Sequence, residues 1–467
     1  MEAEGLLRLG TRLENSMSDY LAELALQIGN TPISGEDRSI VRQHIVDALG
    51  SAYIGCKSET FKALTDLCSK EDKGVPWPGS GPNRTCTLDA AMLWAFAINA
   101  SVFEDGSREG ACHPAAVVIP AVIALSNGAS WEEIDQSVVA GYDVMVRIAR
   151  GGNPEFTTRG FHPTSITAPF GAAAAAAILS GHDYTSTRNA LCLAAMVSGG
   201  LVSSFKTGDT QPLQVAWAVR GGIMAAILAG KGQAGYPRIL EEGFYPAYLG
   251  HSPDPPLDHE LQYGYAIRGS YLKPYPGCRH LHPAIDAFGK ICNENSLDPH
   301  NIKKIEVHTY SIAVETEIHS LKSRGDAYFN IPYALSARAI LGKNDYDTFD
   351  EIHFENHNIK DLMKKITVII DPDIEKRYPG ERGAIVYVTM GDGKKFAMEV
   401  SHPLGEPENP LPRSVTREKF RASASEFLTD QSLEWIGNIL DSSGPGKPPV
   451  EIFELLGEKS IKHKGKK

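Results

Sequence analysis

The chain has few cysteines, and their pattern excludes the usual cysteine-based scaffolds. Seven cysteines are scattered over 467 residues, and none of them belongs to a Cys-x-x-Cys pair. This pattern argues against a zinc ribbon, an iron–sulfur cluster or a disulfide scaffold. Unpaired cysteines are typical of reducing compartments. We therefore expect a cytoplasmic protein, or a mitochondrial-matrix protein if the source is eukaryotic.

Positive charge is also scarce. The 46 lysines and arginines are outnumbered by 57 aspartates and glutamates, which gives a net charge of −11. Binding to nucleic acid depends on neutralising phosphates with lysine and arginine, so nucleic acid is not an expected partner. An anionic small molecule is not excluded, because a pocket can be locally basic on an acidic protein.

Long hydrophobic runs are missing as well. The N-terminal sequence MEAEGLLRLGTRLENS has early acids and no apolar stretch, so it is unlike a secretory signal, and it has too few arginines for a transit peptide. The run of small apolar residues at 170–179 is about half the length of a membrane span. We therefore expect no transmembrane segment and no membrane partner.

The first 265 residues have the periodicity and composition of packed helices. Within 35–55, apolar residues recur on one face at spacings of three and four. Further segments are of helix length, rich in Ala, Gly, Val and Leu, and separated by Gly, Asn or Pro: 88–103, 113–128, 166–181, 188–205 and 215–232. Small residues allow helices to approach closely, so the sequence predicts a mostly buried helical bundle.

The pattern changes after residue 265, where strand-like runs begin. The runs are 302–311, 364–373, 383–390 and 394–402. The last two flank Gly391-Asp392-Gly393, which is a strong hairpin signal. Helical patterns are found at 331–342 and again at 414–440. The sequence therefore predicts a mainly α fold that includes a smaller α+β part.

Several motifs in order resemble one known family. They are Asp47-Ala-Leu-Gly, Gly79-Ser-Gly, Asp89-Ala-Ala, the stretch 99–105, HPAAVVIPAVIAL (113–125), RGFHPTSITAPFGAAAAAA (159–177), YLKPYPGCRHLHPAIDA (271–287) and DGKKFAMEVSHPLGEPENPL (392–411). Together they resemble the MmgE/PrpD family, which includes 2-methylcitrate dehydratases and cis-aconitate decarboxylases. No one motif is decisive, and the similarity rests on their order from about residue 18 to about residue 455.

The resemblance implies a specific organisation. An all-helical large domain is built from both chain ends, residues 1–265 and 405–458, and an α+β lid, residues 266–404, is inserted between them. The basic tail, 459–467, is expected to be disordered. The resemblance further implies an active site in the cleft between the domains, catalysis with no metal and no other cofactor, a small-molecule carboxylate substrate and a homodimer.

Three residues match catalytic positions of the family. Chemistry on such acids needs cationic anchors and groups that titrate near neutral pH. By resemblance, His113 is a catalytic acid/base at the start of an apolar helix. His162 lies in a Gly-Phe-His-Pro motif similar to the family's Gly-Trp-His-Pro, and Lys273 matches the lysine of its Lys-x-Tyr-Pro motif. The alternatives are a capping or core role for His113 and a loop-holding role for His162.

Asp105 completes the predicted catalytic set. It is the aspartate that this chain keeps at the matching register of an aspartate-rich family run, while Phe103 occupies the place of an earlier aspartate. Asp105 is predicted to orient a histidine, and the alternative is an exposed acid in a turn. Ser107 is a predicted substrate-binding residue, because it stands where decarboxylases of this group have a threonine.

The remaining candidates are predicted to bind substrate. Arg279, His280 and His282 form, with Lys273, the densest cationic cluster of the chain, and arginine can hold a carboxylate with two hydrogen bonds. We expect at least two of the four to face substrate, the alternative being that one or two cap the helix that follows. Tyr333 matches a cleft-lining segment, where it either donates a hydrogen bond to substrate or packs.

The segment 209–214 departs from the family pattern. Gln211 replaces a lysine and Gln214 replaces a histidine. Gln211 is a predicted substrate-binding residue, and the loss of a cation there weakens capture of one carboxylate by about 1.5–3 kcal/mol if that contact was a charge-assisted hydrogen bond. We therefore expect reduced efficiency on the usual tricarboxylate.

Three functions remain open at this stage. The first is a lyase that dehydrates an acid of the 2-methylcitrate type or decarboxylates an acid of the cis-aconitate type. The second is a cofactor-independent epimerase of a dicarboxylate, which the lost charge at Gln211 favours. The third is a catalytically decayed family member, an interpretation opposed by the retention of His113, His162, Lys273 and His282.

Overall fold

The computed structural model describes residues 16–253 and 257–441. Within these ranges helices dominate and the sheets are small, which confirms the predicted mainly α fold class. Three predictions fall partly or wholly on residues outside the described ranges. These are the absence of a targeting signal at the N-terminus, the end of the helical return after residue 441 and the disordered tail at 459–467.

The N-terminal part is built of eleven α-helices within the described residues, five of which begin at a side-chain cap. Ser16 and Ser130 each accept a hydrogen bond from the backbone three residues ahead and form capping boxes with Asp19 and Glu133. The helices are α1 (Met17–Gly29), α2 (Gly35–Gly55), α3 (Glu59–Leu67), α4 (Thr87–Ala100), α5 (Ala115–Leu125), α6 (Trp131–Arg150), α7 (Glu155–Thr158), α8 (Pro163–Leu179), α9 (Tyr184–Ala194), α10 (Leu213–Gly230) and α11 (Tyr245–Leu249). Sequence analysis did not single out α6, although its capping box was visible.

The remaining helices belong to the region after residue 265. They are α12 (His282–Asn295), α13 (Ser311–Glu315), α14 (Arg324–Ala327), α15 (Ile331–Leu341), α16 (His357–Met363), α17 (Pro372–Arg377), α18 (Arg413–Ala424) and α19 (Asp430–Gly437). Short 3-10 helices cover Ala195–Val197, Val202–Thr210, Arg279–Leu281, Pro299–Asn301, Asp347–Phe349, Glu351–His353 and Asn438–Asp441, and a π-helix covers Leu240–Phe244.

The strands confirm the predicted β segments and the hairpin. A four-stranded sheet has the order β4 (Ile366–Ile370), β3 (Ile302–Thr309), β5 (Ala384–Met390) and β6 (Lys395–Val400). The β3–β4 pair is parallel, and the other two pairs are antiparallel. The β5–β6 turn places Gly393 at φ 88°, a conformation that glycine adopts without strain. A second small sheet pairs β1 (Gly106–Ser107) with β2 (Ser270–Tyr271).

Two main hydrophobic clusters make up the core. The larger cluster contains apolar residues from α1 to residue 267, and it also contains Phe420, Ala424 and Ile436 from α18 and α19. The second cluster contains residues 281–400, from α12, α15 and the four-stranded sheet. The division into a large domain and an inserted lid remains a prediction, and the return of the last described helices to the first cluster supports it.

A buried ion pair joins two helices of the larger cluster. The Arg42 guanidinium on α2 donates from Nε and Nη2 to the two carboxylate oxygens of Asp135 on α6, at 2.9 and 2.7 Å. The same guanidinium lies 3.8 Å from the ring centre of Trp131. Both charged side chains are fully buried, so each requires the other to compensate for lost hydration. The pair therefore fixes how α2 and α6 face each other.

One stretch of the described chain has the length and composition of a membrane span. It is Gly208–Gly230, which includes α10, and about half of it is buried inside the protein (56%). Core helices of globular proteins commonly have the same length and composition, so this observation alone does not indicate a membrane helix. Its exposed part does carry large apolar side chains, and these bear on the proposed assembly below.

Gly55 gives a stability prediction, because α2 and α4 touch there. A Cβ atom at this position would lie 1.9 Å from the carbonyl oxygen of Ala97. We expect Gly55→Ala to force the two helices apart and to lower the free energy of unfolding by about 1–3 kcal/mol, as overpacking does elsewhere. Chemical denaturation monitored by circular dichroism measures this change.

Gly35, at the start of the same helix, provides the matched control. No atom lies within 4 Å of a Cβ atom built there, so Gly35→Ala should leave stability unchanged or raise it by about 0.4–1 kcal/mol. An equal denaturation midpoint for Gly55→Ala and the unmodified protein would show that α2 and α4 do not pack at this distance.

Candidate active site

The segment 102–113 brings the predicted catalytic residues together and is held in a strained conformation. Val102 and Ala111 have φ angles of 51° and 48°, in the left-handed region that costs a non-glycine residue about 1–3 kcal/mol. Between them, β1 pairs with β2, so that Gly106 faces Tyr271. A Cβ atom at Gly106 would lie 2.4 Å from the Tyr271 hydroxyl oxygen. This close approach places the segment beside Lys273.

His113 lies two residues before α5, and its ring has a defined tautomer. The Nδ1 atom lies 2.5 Å from the main-chain oxygen of Asp105. A carbonyl oxygen only accepts hydrogen bonds, so Nδ1 carries the proton and, in the neutral ring, Nε2 keeps a free lone pair. Burial lowers the pKa of His113, the Glu104 carboxylate opposes that change, and the Lys273 charge adds to it. His113 therefore has the arrangement of a general base at Nε2.

The Asp105 carboxylate orients a histidine, but that histidine is His44 and not the catalytic candidate His113. Its side chain is fully buried, and its carboxylate accepts hydrogen bonds from the Ala115 N–H at 2.9 Å and the Tyr142 hydroxyl at 2.8 Å. A third partner, the Nδ1 of His44, lies 3.0 Å away. The carboxylate thus fixes the start of α5 and orients His44, while only the main chain contacts His113. The predicted orienting of a histidine agrees with the contact to His44, whereas the exposed turn acid is wrong, because the Asp105 side chain is fully buried.

Glu104 is the functional residue that sequence reasoning missed. It is almost completely buried, and its Oε1 atom lies 3.0 Å from the Asn99 amide nitrogen, which donates to it, and 3.7 Å from His113 Nδ1. Its Oε2 atom lies 3.9 Å from Lys273 Nζ and makes no hydrogen bond within the described residues. The signal available in the sequence was the pair Glu104-Asp105, in which only the aspartate had been aligned with the family run. A carboxylate therefore lies between the two main catalytic candidates.

Lys273 is buried and held mainly by main-chain groups. Its Nζ donates to the carbonyl oxygen of the strained residue Val102 at 3.2 Å. Its own carbonyl oxygen accepts a hydrogen bond from Lys419 Nζ at 3.2 Å. Lysine has three donor positions, so beyond the Val102 contact it keeps capacity to bind an anion. The catalytic candidates His113 and Lys273 therefore lie near each other, with Glu104 between them.

His162 forms a hydrogen-bonded pair with Gln214. The Gln214 side-chain oxygen accepts a hydrogen bond from the Leu201 N–H at 2.9 Å, which fixes the orientation of the amide. The amide nitrogen then donates to His162 Nδ1 at 3.0 Å and to the Ser204 hydroxyl at 2.9 Å. The proton of neutral His162 is therefore on Nε2. Burial lowers the pKa of His162 to about 3, and the nearby His113 charge acts in the same direction.

In the cationic cluster after Lys273, Arg279 is held by contacts within the protein. The Arg279 guanidinium is buried and donates to Glu406 Oε1 at 2.9 Å and to the carbonyl oxygens of Leu404 and Pro403 at 3.0 and 3.2 Å. It also contacts Nδ1 of His282 at 2.9 Å. These contacts use four of the five N–H groups of Arg279, which argues against the predicted binding of a substrate carboxylate by two of its hydrogen bonds.

The two histidines of this cluster have separate environments. His280 Nδ1 lies 2.6 Å from the Tyr310 hydroxyl, and burial lowers its pKa to about 3, with the Arg382 charge acting in the same direction. His282 is the first residue of α12 and is fully buried. Burial lowers its pKa well below the usual value, and the charges of Arg279 and Lys273 lower it further. Both side chains are therefore neutral near pH 7.

The other predicted binding residues are in different places. Tyr333 is buried in the second hydrophobic cluster, where its hydroxyl donates to the Thr348 carbonyl oxygen at 2.6 Å. Its predicted contact with substrate is wrong, and the packing alternative is confirmed. Ser107 is buried in β1, and its hydroxyl accepts a hydrogen bond from the Gly110 N–H at 3.3 Å. Gln211 is mostly buried where the 3-10 helix ends before α10, close to Gln214.

A metal site is a separate question. Within residues 16–253 and 257–441, no group of three or more His, Cys, Asp or Glu side chains is arranged to hold a metal ion. The predicted absence of a metal and a cofactor in the reaction remains a prediction, and the chelator experiment below addresses it.

Comparison with known proteins agrees with the resemblance seen in the sequence. Residues 19–256 match the MmgE/PrpD N-terminal domain, and residues 275–439 match the MmgE/PrpD C-terminal domain. A human cis-aconitate decarboxylase is 27% identical over 85% of this chain and 86% of its own length. The mouse cis-aconitate decarboxylase is 24% identical over 91% and 90%, and one from Aspergillus terreus is 24% identical over 95% and 96%.

Glu104 gives a prediction that needs no substrate. Its carboxylate opposes the effect of burial on His113, so Glu104→Gln should lower the pKa of His113 further. Proton NMR titration of the His113 ring measures this value directly. Glu109→Gln is the control, because Glu109 lies in the same segment and pairs with Arg150 at 3.5 Å. A His113 pKa that stays the same or rises in Glu104→Gln, with the control unchanged, would contradict the assigned contact.

Proposed function

The chain belongs to the MmgE/PrpD family, and from this premise we propose that it is a lyase that acts on a di- or tricarboxylic acid by acid/base catalysis. The proposed site lies between the two hydrophobic clusters, where the segment 102–113 and Lys273 meet the start of α12. We propose that the reaction needs no metal and no other cofactor. Because the similar proteins are cis-aconitate decarboxylases, decarboxylation of an acid of the cis-aconitate type is our first choice.

The observation that carries this proposal is the arrangement around His113. Its Nδ1 proton is directed to the Asp105 carbonyl oxygen, which leaves Nε2 as the one ring atom able to exchange a proton with a ligand. The Glu104 carboxylate lies between His113 and Lys273, 3.7 Å from Nδ1 of the first and 3.9 Å from Nζ of the second. A group that titrates beside a cation is what carbanion chemistry on a carboxylic acid requires.

The steps of decarboxylation follow from these groups. Lys273 binds one carboxylate of the substrate and stabilises the negative charge that develops when the bond to the departing carboxylate breaks. The electron pair of that bond stays on the substrate carbon as carbon dioxide leaves. His113, protonated at Nε2 beside the Glu104 carboxylate, then delivers a proton to the carbon. Proton transfer of this kind contributes about 10²–10⁴-fold to the rate.

Dehydration of an alkylcitrate uses the same groups in the opposite protonation state. Neutral His113 removes a proton from carbon at Nε2, the C–H electron pair forms the double bond, and hydroxide leaves with a proton from an acid. The Lys273 ammonium can supply that proton, while neutral His162, whose proton Gln214 holds on Nε2, can donate a hydrogen bond to the leaving hydroxyl. The similar proteins are only 27% and 24% identical to this chain in sequence, so both reactions stay within the proposal.

Epimerisation of a dicarboxylate is the second candidate. It is favoured by the charge balance of the site, since Gln211 is neutral, Arg279 is paired with Glu406, and Glu104 offsets Lys273. A tricarboxylate would meet little unpaired positive charge there. In this reaction one group removes a proton from carbon and another returns a proton to the opposite face. A decayed site is not favoured, because His113 keeps its contacts with the Asp105 carbonyl oxygen and Glu104, and Lys273 is buried beside Glu104.

We also propose that the protein is a homodimer. The proposed contact is the α10 face, which consists of exposed apolar side chains of α10 and the segment before it: Met196, Val197, Leu201, Phe205, Trp217, Met224, Ile227 and Leu228. Trp217, Met224 and Leu228 are spaced seven and four residues apart, so they share one side of the helix. Apolar patches of this kind mark contact surfaces, and a second copy of the chain presents the same patch in a symmetric dimer.

The catalytic proposal predicts the effects of two substitutions. Proton NMR of the protein in D₂O with cis-aconitate, 2-methylcitrate and several dicarboxylates, with and without a chelator, identifies the product. We expect His113→Gln to lower kcat by about 10²–10⁴-fold. Lys273→Met should lower kcat/KM by at least about tenfold, the minimum for a lost charged hydrogen bond.

Two substitutions serve as matched controls for this assay. His308 has the same exposure as His113, 27% against 26%, and Lys365 donates to the Ile302 carbonyl oxygen as Lys273 does to Val102. His308→Gln and Lys365→Met should keep full activity. Full activity of His113→Gln and Lys273→Met would make the site assignment wrong. Deuterium exchange at carbon without a new double bond would favour the epimerase, and product that disappears with the chelator would contradict the cofactor-free reaction.

The proposed dimer is tested at Trp217, whose side chain is 58% exposed. We expect Trp217→Glu to convert a dimer into a monomer in sedimentation equilibrium, because it places a charge in an apolar contact. Leu67→Glu is the control: Leu67 is 82% exposed on α3, outside the α10 face, and the change should leave the mass unaltered. A monomeric unmodified protein at tens of micromolar would rule out the dimer. Binding of the monomer to lipid vesicles would instead assign the α10 face to a membrane.

A further inference from the structure

Arg279 is held by contacts within the protein, and one of these contacts determines which ring nitrogen of His282 carries the proton. Its Nε–H donates to Glu406, its Nη1 donates to the Leu404 carbonyl oxygen, and its Nη2 donates to the Pro403 carbonyl oxygen. Glu406 is completely buried, and it pairs in addition with Arg108 at 3.2 Å. The guanidinium is therefore fixed in position and charge before any ligand binds.

The contact between Arg279 and His282 has only one possible polarity. The Nη1 of Arg279 lies 2.9 Å from Nδ1 of His282. Arginine has donors and no acceptor, and it stays protonated in proteins, so Nδ1 of His282 must be the acceptor. The proton of the neutral ring is then on Nε2. Protonating Nδ1 as well would bring two donors and two positive charges face to face, so the imidazolium form is excluded.

The Nε2–H group of His282 is left without a hydrogen bond inside the protein. The side chain is fully buried, and Nε2 has no partner among the residues that the structure describes. A buried donor without an acceptor has lost its hydration with no replacement, so such groups normally have a role or a missing partner. His282 is also the first residue of the 14-residue helix α12, whose N-terminus favours an anion.

The ionised groups that act most strongly on His282 are cations, each partly offset by a carboxylate of its own: Glu406, Glu104 or Asp47. Arg279, Lys273, Lys419 and His280 are the titratable groups that act on it, and the first three are cations. An oxygen atom with negative charge would complete the hydrogen bonding at Nε2 and would be attracted by the same cations. Neutral ligands would gain only the hydrogen bond.

We propose that Arg279 is a positioning residue that holds His282 as a neutral hydrogen-bond donor, with Nε2–H presented to an anionic oxygen of the substrate. The identity of that oxygen, a carboxylate or an enolate, rests on the proposed function, whereas the ring state does not. His282 is therefore neither the base nor the acid of the reaction. The two histidines are complementary: His113 offers a lone pair at Nε2, and His282 offers a proton at the corresponding atom.

The test is ring NMR of the full-length protein labelled with ¹⁵N-histidine, with His282 assigned by comparison with His282→Gln. Two-bond correlations between ring protons and ring nitrogens show which nitrogen carries the proton. We expect the Nε2–H form of His282 with no titration between about pH 5 and pH 8, the range in which an ordinary histidine titrates. An Nδ1–H form, or a titration in this range, would overturn the proposal without any use of a substrate.

The same sample tests the donor role. Addition of cis-aconitate or succinate should shift the Nε2–H resonance, and the dissociation constant should rise about tenfold in His282→Leu while His282→Gln, which can still donate, keeps most of the affinity. A correct tautomer with no shift by either acid would overturn the donor role. A shift without turnover would contradict only the proposed lyase and would leave the inference intact.

Arg279→Met and Glu406→Gln separate positioning from simple stability. In folded Arg279→Met, Nδ1 of His282 loses its donor, and both tautomers or a titrating ring should appear. Glu406→Gln keeps an oxygen acceptor for Arg279, so the Nε2–H form should persist even if the variant is less stable. Loss of the tautomer in Glu406→Gln and its retention in Arg279→Met would show that Arg279 does not control it.

Discussion

The candidate site depends on one buried ammonium group, that of Lys419. Its Nζ donates to Asp47 Oδ1 at 2.7 Å, to the Phe103 carbonyl oxygen at 2.6 Å and to the Lys273 carbonyl oxygen at 3.2 Å. Three donors and three acceptors form a complete set, which is what makes a buried ammonium tolerable. Burial lowers the pKa of Lys419, and the Asp47 carboxylate opposes that change. Without Asp47 the Lys419 ammonium would be a buried charge with no counter-charge in contact. Without either carbonyl oxygen, one of its N–H donors would have no acceptor.

This group also explains why the site can be strained. The carbonyl of Phe103 follows Val102, whose φ angle is in the left-handed region, and precedes Glu104. Lys419 reaches it from α18, a helix 316 residues further along the chain. The conformation of the segment 102–113 therefore depends on how α18 packs against the N-terminal helices. The catalytic geometry is therefore a property of the assembled chain and not of its local sequence.

Sequence reasoning identified the fold class, the hairpin and the main catalytic candidates because these depend on local patterns. His113 and Lys273 could be found from motifs, and the β5–β6 turn from Gly391-Asp392-Gly393. The internal contacts of Arg279 could not be predicted, because residue type shows capability and not occupancy: a guanidinium suited to a substrate carboxylate is paired with Glu406, 127 residues away. Lys419 was missed because a lysine on a polar helix predicts a surface position. Only the tertiary structure shows that it is buried beside Asp47.

The pairing of Arg279 with Glu406 and His282 has a consequence for how this protein can change over generations. If the Glu406 carboxylate is lost, Arg279 keeps only neutral carbonyl and imidazole partners and becomes an uncompensated buried charge, at about 3–5 kcal/mol; if Arg279 is lost, His282 loses the donor that sets its ring state. Single substitutions at these positions are therefore selected against even if neither side chain touches a ligand. Related chains should keep the arginine and the glutamate together or replace both at once, so the two positions should change as one character although they are far apart in the sequence.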